Sequence, residues 1–185
     1  MRSDHGPWNL PENKFKMKIK SIINKSLKTN ILLSSHYLIN NPMGVSQIFG
    51  MTRRQFLKKS RKTLQKTSEN LLALMQIMEK EQNQTIKYET AYWKLDVLRE
   101  DIESIFFEYE NLKPPRNCDK LHLKIMDLLV KFQEVIVTNQ EFLGLAEKSS
   151  PQSKQKYRES EKKLEEFRID FRLITEIVKT SLKRK

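Results

Sequence analysis

From Arg53 to Leu112 the chain runs for 60 residues without a glycine or a proline. A stretch that long with no turn-forming residue argues for helix. Within it, residues recur every seven positions. One row is Leu57, Leu64, Leu71, Met78, Thr85, Tyr92, Arg99 and Phe106; the other is Ser60, Thr67, Leu74, Glu81, Tyr88, Leu95, Ile102 and Tyr109. The two rows mark the buried seam of an amphipathic helix. Their polar members, Glu81 and Thr85, fall together without shifting the phase. The pattern therefore predicts one continuous helix over about residues 53–112, roughly 90 Å long at 1.5 Å per residue. A break near residues 82–86 is the alternative.

"NLKPPRNCD" (Asn111–Asp119) ends that stretch. Two consecutive prolines cannot continue a helix, and the residue before a proline is pushed out of the helical region. Asn117 is positioned to cap the next helix. That helix, about 118–148, spaces Leu121, Ile125, Leu128, Phe132 and Val135 four and three apart, and Phe142 closes the stripe. Leu129, Ile136 and Leu143 widen it. At "EKSSPQSKQK" (Glu147–Lys156), Ser150 followed by Pro151 reads as a cap and a first helical residue. The last helix, about 151–182, repeats Tyr157, Leu164, Phe171 and Val178, with Ser160, Phe167 and Ile174 beside them. Short links and strong seven-residue patterns predict an all-α antiparallel bundle of long amphipathic helices. It has three helices, or four if the first one breaks.

The whole chain has only four glycines and six prolines, which also disfavours a many-stranded sheet. Its net charge of +12 is unevenly distributed. Residues 1–80 carry 15 Lys/Arg against 4 Asp/Glu, a net of +11; residues 81–150 carry 9 against 13, and residues 151–185 carry 11 against 6. Such asymmetry points to an anionic partner, the bland alternative being a charged face that only aids solubility. The single cysteine, Cys118, cannot form an intramolecular disulfide. No apolar run reaches the length of a membrane span.

"MTRRQFLKKS" (Met51–Ser60) matches the core of a twin-arginine export signal. An export signal needs an apolar segment directly after its basic part. Here Lys59, Arg61, Lys62 and Lys66 follow instead, and "LLALMQIM" comes late and is short. Thr52 is a good N-cap, so the string is expected to open an amphipathic helix with a basic outer side. Residues 1–52 form a basic N-terminal arm. Within it, residues 14–39 can form an amphipathic helix with Phe15, Ile19, Ile22, Ile23, Leu27 and Ile31 near one face. The regions of Pro7, Pro11 and Pro42 read as irregular.

The hairpin "LKPPRNCDKLHLKIMDLL" (Leu112–Leu129) resembles a pattern in helical envelope-associated proteins of Gram-positive bacteria, in which a helix ends in Pro-Pro and the next begins with a Leu-His pair. The resemblance covers some twenty residues and implies a peripheral location at a membrane surface. Those proteins usually carry an export signal or lipid anchor, and neither is read in this sequence.

The remaining residues carry no recognisable catalytic or cofactor motif. Gly6, Gly44, Gly50 and Gly144 lack the spacing of a phosphate-binding loop. Cys118 and His122 lie four apart, with Asp119 between them, but zinc requires four ligands. A thiol at a helix start is more often a small packing group than a nucleophile. The aromatic set Tyr88, Tyr92, Trp93, Phe106, Phe107 and Tyr109 falls at helical spacing and is expected in the core. Trp93 and Phe107 lie off the two main rows, where a partner is also open to them.

The expected function is that of a non-enzymatic interaction or scaffold protein, cytoplasmic, with no cofactor and no small-molecule substrate. Its basic half would contact nucleic acid backbone, an acidic protein or anionic lipid through Lys16, Lys18, Lys20, Arg53, Arg54, Lys58, Lys59, Arg61, Lys62 and Lys66. The alternative is an envelope-associated module lying at an anionic membrane through residues 14–39. Helix faces also offer surfaces for self-association.

Overall fold

The computed structural model describes residues 51–183. The expected amphipathic helix over residues 14–39 lies outside them, as do Lys16, Lys18 and Lys20. Four helices follow in order: α1 (Arg53–Gln82), α2 (Tyr88–Glu110), α3 (Asp119–Glu147) and α4 (Ser153–Lys183). A single 3-10 turn, Arg116–Cys118, precedes α3. No strand occurs among the described residues. Each helix packs on the next, and α4 returns to α1, which closes an up-down-up-down bundle.

The continuous helix expected over 53–112 is interrupted, and the physical reason is a complete C-capping motif. Gln84 adopts φ 55°, the left-handed region. The Gln84 N–H then donates to the Glu81 carbonyl (3.1 Å), and the Thr85 N–H donates to the Lys80 carbonyl (2.9 Å). These two bonds satisfy carbonyls that a helix end otherwise leaves orphaned. The left-handed position normally takes glycine, so the break carries no glycine signal in the sequence. The same motif ends α3. Ser149 takes φ 53°, its N–H donates to Ala146 and the Ser150 N–H donates to Leu145, both at 2.9 Å. A side chain in this region costs about 1–2 kcal/mol, although glycine also loses more entropy on folding. Gln84→Gly should therefore raise the unfolding free energy by about 0.5–1 kcal/mol, measured by urea denaturation. A drop in stability would show that the Gln84 side chain itself holds the corner.

The break changes which residues α2 buries. Leu95, Ile102 and Tyr109 continue the expected second row. The first row continues only at Phe106: Ala91, Leu98 and Ile105 go inside, whereas Tyr92 and Arg99 are only half-buried. Phe106 is buried and Phe107 half-buried, their rings edge to face. Tyr88 and Trp93 are exposed, against the expectation of core, Trp93 to 65%.

Thr52 caps α1 as expected, within a reciprocal capping box. Its hydroxyl accepts from the Gln55 N–H (3.2 Å), and the Gln55 side chain accepts from the Thr52 N–H (2.9 Å). Phe56 and Leu57, the apolar pair of "MTRRQFLKKS", enter the core. Asn117 does not cap α3: it lies inside the 3-10 turn, and Cys118 occupies the cap position without a side-chain bond. Ser150 accepts from the Gln152 N–H (3.3 Å), but α4 starts at Ser153, so Pro151 falls in the preceding turn.

The stripe expected for α3 is inside. Ile125, Leu128, Leu129, Phe132, Val135, Ile136 and Leu143 are all buried, while Leu121 and Phe142 are half-buried. On α4, Phe167, Ile174 and Val178 are buried, and Tyr157, Leu164 and Phe171 flank them half-buried. Phe132 and Phe167 stack with centroids 4.6 Å apart.

Candidate anionic-partner surface

The first four turns of α1 contain seven cations and no acid; Glu69 is the first acidic residue of the helix. Packing decides where these cations go. Phe56, Leu57, Ser60, Leu64 and Thr67 take the inner face. Ser60 is small because Tyr109 fills the space opposite, its phenol 2.9 Å from the Ser60 hydroxyl. Burial, first, pushes the Tyr109 phenol well above its ordinary range. The ring also stacks on His122, whose Nε2 sits 3.1 Å from the Tyr109 carbonyl.

With the inner face filled, the cations are left on the outside. Arg53, Arg54, Lys58, Lys59, Arg61 and Lys62 are exposed and Lys66 is half-buried. They do not all remain available to a partner. Lys66 reaches across to Glu108 of α2 at 2.7 Å. That bond, with Lys62 and Lys59 nearby, holds the Glu108 carboxyl below its usual range. Lys66 is therefore committed within the bundle. Arg53 lies beside Cys118. Burial pushes the Cys118 thiol up, and the Arg53 guanidinium offsets part of that rise.

Arg54, Lys58, Lys59, Arg61 and Lys62 form no ion pair among the described residues. The contrast with α4 is direct. There Lys156, Lys162, Lys163, Arg168 and Lys179 each meet a glutamate three or four residues away. The start of α1 has no such neutralisation, and its position aggravates the imbalance. Arg53 and Arg54, in the first turn, oppose the helix dipole at a cost of a few tenths of a kcal/mol or more each.

No protein-family model matches this chain, and no curated protein or solved structure matches it either. Cys118 and His122 do not approach a third ligand; among the described residues no cluster of three or more metal-ligating side chains forms. Cys118 Sγ lies 3.5 Å from the Asn117 amide oxygen, and His122 serves the Tyr109 carbonyl. No described helix is long and apolar enough to cross a membrane.

A second polar feature escaped the sequence pattern. Glu81 is only 6% exposed, and both its oxygens accept from the Asn139 amide, at 3.1 and 2.9 Å. Ser160, Gln133 and Gln140 are also buried. The Ser160 hydroxyl and the Asn139 carbonyl oxygen have no hydrogen-bond partner. Glu81 stands in an apolar row of α1, which was the only available signal.

Proposed function

We propose that this chain is a non-enzymatic helical interaction protein of the cytoplasm. Its bundle acts as a rigid support, and its basic half, residues 14–66, engages an anionic partner such as nucleic acid backbone or an acidic protein. The observation that carries this reading is the group of five exposed cations at the start of α1 that form no ion pair among the described residues. Arg54 stands in the first turn, where the helix dipole disfavours a cation, and none of the five meets an acid of its own helix, whereas Lys156, Lys162, Lys163, Arg168 and Lys179 of α4 each do.

Replacing Lys58, Lys59, Arg61 and Lys62 together with Gln should weaken polyanion binding by tenfold or more. It should also flatten the dependence of log affinity on log salt by roughly 0.9 for each duplex phosphate no longer neutralised. The thermal midpoint should hardly move, because all four side chains are exposed. Fluorescence anisotropy with duplex and single strand, together with sedimentation with anionic vesicles, measures this. No binding to any of the three at about 0.1 M salt, where the Debye length is near 10 Å, would end the anionic-partner reading for nucleic acid and lipid.

A further inference from the structure

Exposed apolar side chains scattered singly need no explanation, whereas a row of them on one helix does. Among the described residues one such row stands on α4, where Ile169, Leu173 and Ile177 are exposed to 44, 56 and 42%. Spaced four residues apart, they form a single ridge along the helix surface. The ridge lies outside the packed stripe. Phe167, Ile174 and Val178 already fill the inner face of α4, and Asp170 ties the helix to Lys131 of α3 at 2.6 Å.

The ridge reads the same in both directions about Leu173. A second α4, laid antiparallel across the first and related to it by a two-fold axis beside Leu173, meets it residue by residue. Leu173 then faces its own counterpart, and Ile169 faces the partner's Ile177. Ridges of this four-residue kind interdigitate in the commonest class of helix packing, at a crossing angle of about −50°.

The charges beside the ridge fit the same arrangement. Arg172 is exposed and forms no ion pair among the described residues. Glu176, one turn further along the same flank, meets only Lys179, in an exposed pair at 2.9 Å. Helical side chains lean toward the N-terminus of their own helix. In the antiparallel pair Arg172 therefore leans toward the partner's Glu176, and that glutamate leans back toward Arg172. The two-fold axis repeats the contact on the other side of Leu173. Overall the border is nearly balanced: Glu165, Glu166 and Glu176 stand against Lys162 and Arg172, all of them exposed. No excess of positive charge draws a polyanion or an anionic lipid surface to this ridge, and a self-complementary border suits a second copy. One helix crossing one helix buries less than the standard interface of about 1,200–2,000 Å², so the association is reversible.

We propose that the outer ridge of α4 is a self-association surface on which a second copy of this chain docks antiparallel, Leu173 on Leu173 and Arg172 against the partner's Glu176. The contact lies on α4 and stands independently of the anionic-partner reading, which concerns α1.

Sedimentation velocity of the full chain, from low micromolar to several hundred micromolar at about 0.15 M salt, should show a monomer–dimer equilibrium. Leu173→Glu alters an exposed site, so helicity and the thermal midpoint should hold while the dimer disappears. Leu72→Glu makes the same change at an exposed apolar residue of α1, 59% accessible, and should leave the dimer intact. Arg172→Glu and Glu176→Arg should each weaken dimerisation at least about fivefold, since two symmetric ion pairs change at once. The chain carrying both substitutions should recover wild-type association. Leu173→Cys should cross-link under mild oxidation, the native Cys118 being buried. Ile169→Cys should not, because the two-fold axis holds its two copies roughly 12 Å apart along the helix. A chain that stays monomeric throughout would overturn the proposal, as would a dimer that survives Leu173→Glu or is lost with Leu72→Glu. So would failure of the double exchange to restore association. Cross-linking through Ile169→Cys would show a parallel pair, and Leu173-dependent binding of a monomeric chain to vesicles would show a lipid occupant; either result would also overturn it.

Discussion

Phe132→Ala should lower the unfolding free energy by about 3–5 kcal/mol, the range for removing a fully buried aromatic side chain. Phe132 is 0% exposed and lies face to face with Phe167, their planes 14° apart. Truncation removes the transfer energy of the ring and leaves a cavity between α3 and α4. The surrounding residues cannot easily collapse into it, because Leu128, Leu129, Val135 and Ile136 on the same helix are already fully packed. For a domain of this size the midpoint should drop by roughly 10 °C. Phe171→Ala, at a half-buried site beside Phe167, should cost distinctly less. Urea denaturation followed by circular dichroism measures both. A loss of less than about half a kcal/mol for Phe132→Ala would mean that the α3–α4 interface is not the core of the bundle.

Glu81→Gln should stabilise the bundle at alkaline pH, an unusual direction for the loss of a charged group. Burial pushes the Glu81 carboxyl from 4.5 up to about 7, and the Asn139 hydrogen bonds only partly offset this. The folded state thus binds a proton more tightly than the unfolded chain does. The stability contributed by this group is fully present below about pH 4.5 and is lost as the pH rises through about 7. The difference amounts to no more than about 3 kcal/mol. Gln remains neutral throughout. It also offers an N–H to the Asn139 carbonyl oxygen, which has no partner beside the ionised carboxylate. The acids Glu108, Glu159 and Glu176 have lowered values and act in the opposite sense at lower pH. They are common to both proteins, so the difference between the two curves isolates Glu81. Unfolding free energies measured from pH 5 to 9, a window set by that shift, should show wild type falling relative to Glu81→Gln. Parallel curves would show that Glu81 is solvated in the native state.

The Glu81 experiment concerns the opposite end of the bundle from the cations of α1, and Phe132 lies midway between them. Ser60 and Tyr109 sit with the cations, whereas Glu81 and Asn139 lie toward the α1–α2 corner. Changes at Glu81 should therefore leave polyanion affinity intact at a pH where the bundle is folded, and the substitutions of Lys58, Lys59, Arg61 and Lys62 should leave the pH dependence intact. Sites this far apart without shared partners are additive to within about half a kcal/mol.

Local sequence was sufficient for the helical class and for most of the interior. Where one helix carries its own apolar stripe, spacing alone identifies the buried face. This holds for Leu128, Phe132 and Val135 on α3, for Phe167 and Ile174 on α4, and for Leu57 and Leu64 on α1. Prolines 114 and 115 likewise mark a turn by their covalent geometry, whatever surrounds them. The cations at the start of α1 are visible in the same way, since charge is a property of the residue.

What sequence could not supply depends on contacts between distant segments. The corner at Gln84 uses a left-handed residue without glycine, and it exists because folding back lets α2 cover α1 through Tyr109 and Glu108. That same packing removes Lys66 from the available cations and rotates Tyr92 and Arg99 out of the seam. Asn139 becomes the partner of Glu81 only when α3 lies across the bundle from α1. Periodicity determines which face of a helix turns inward, but the neighbour of that face is set by how the four helices close on one another.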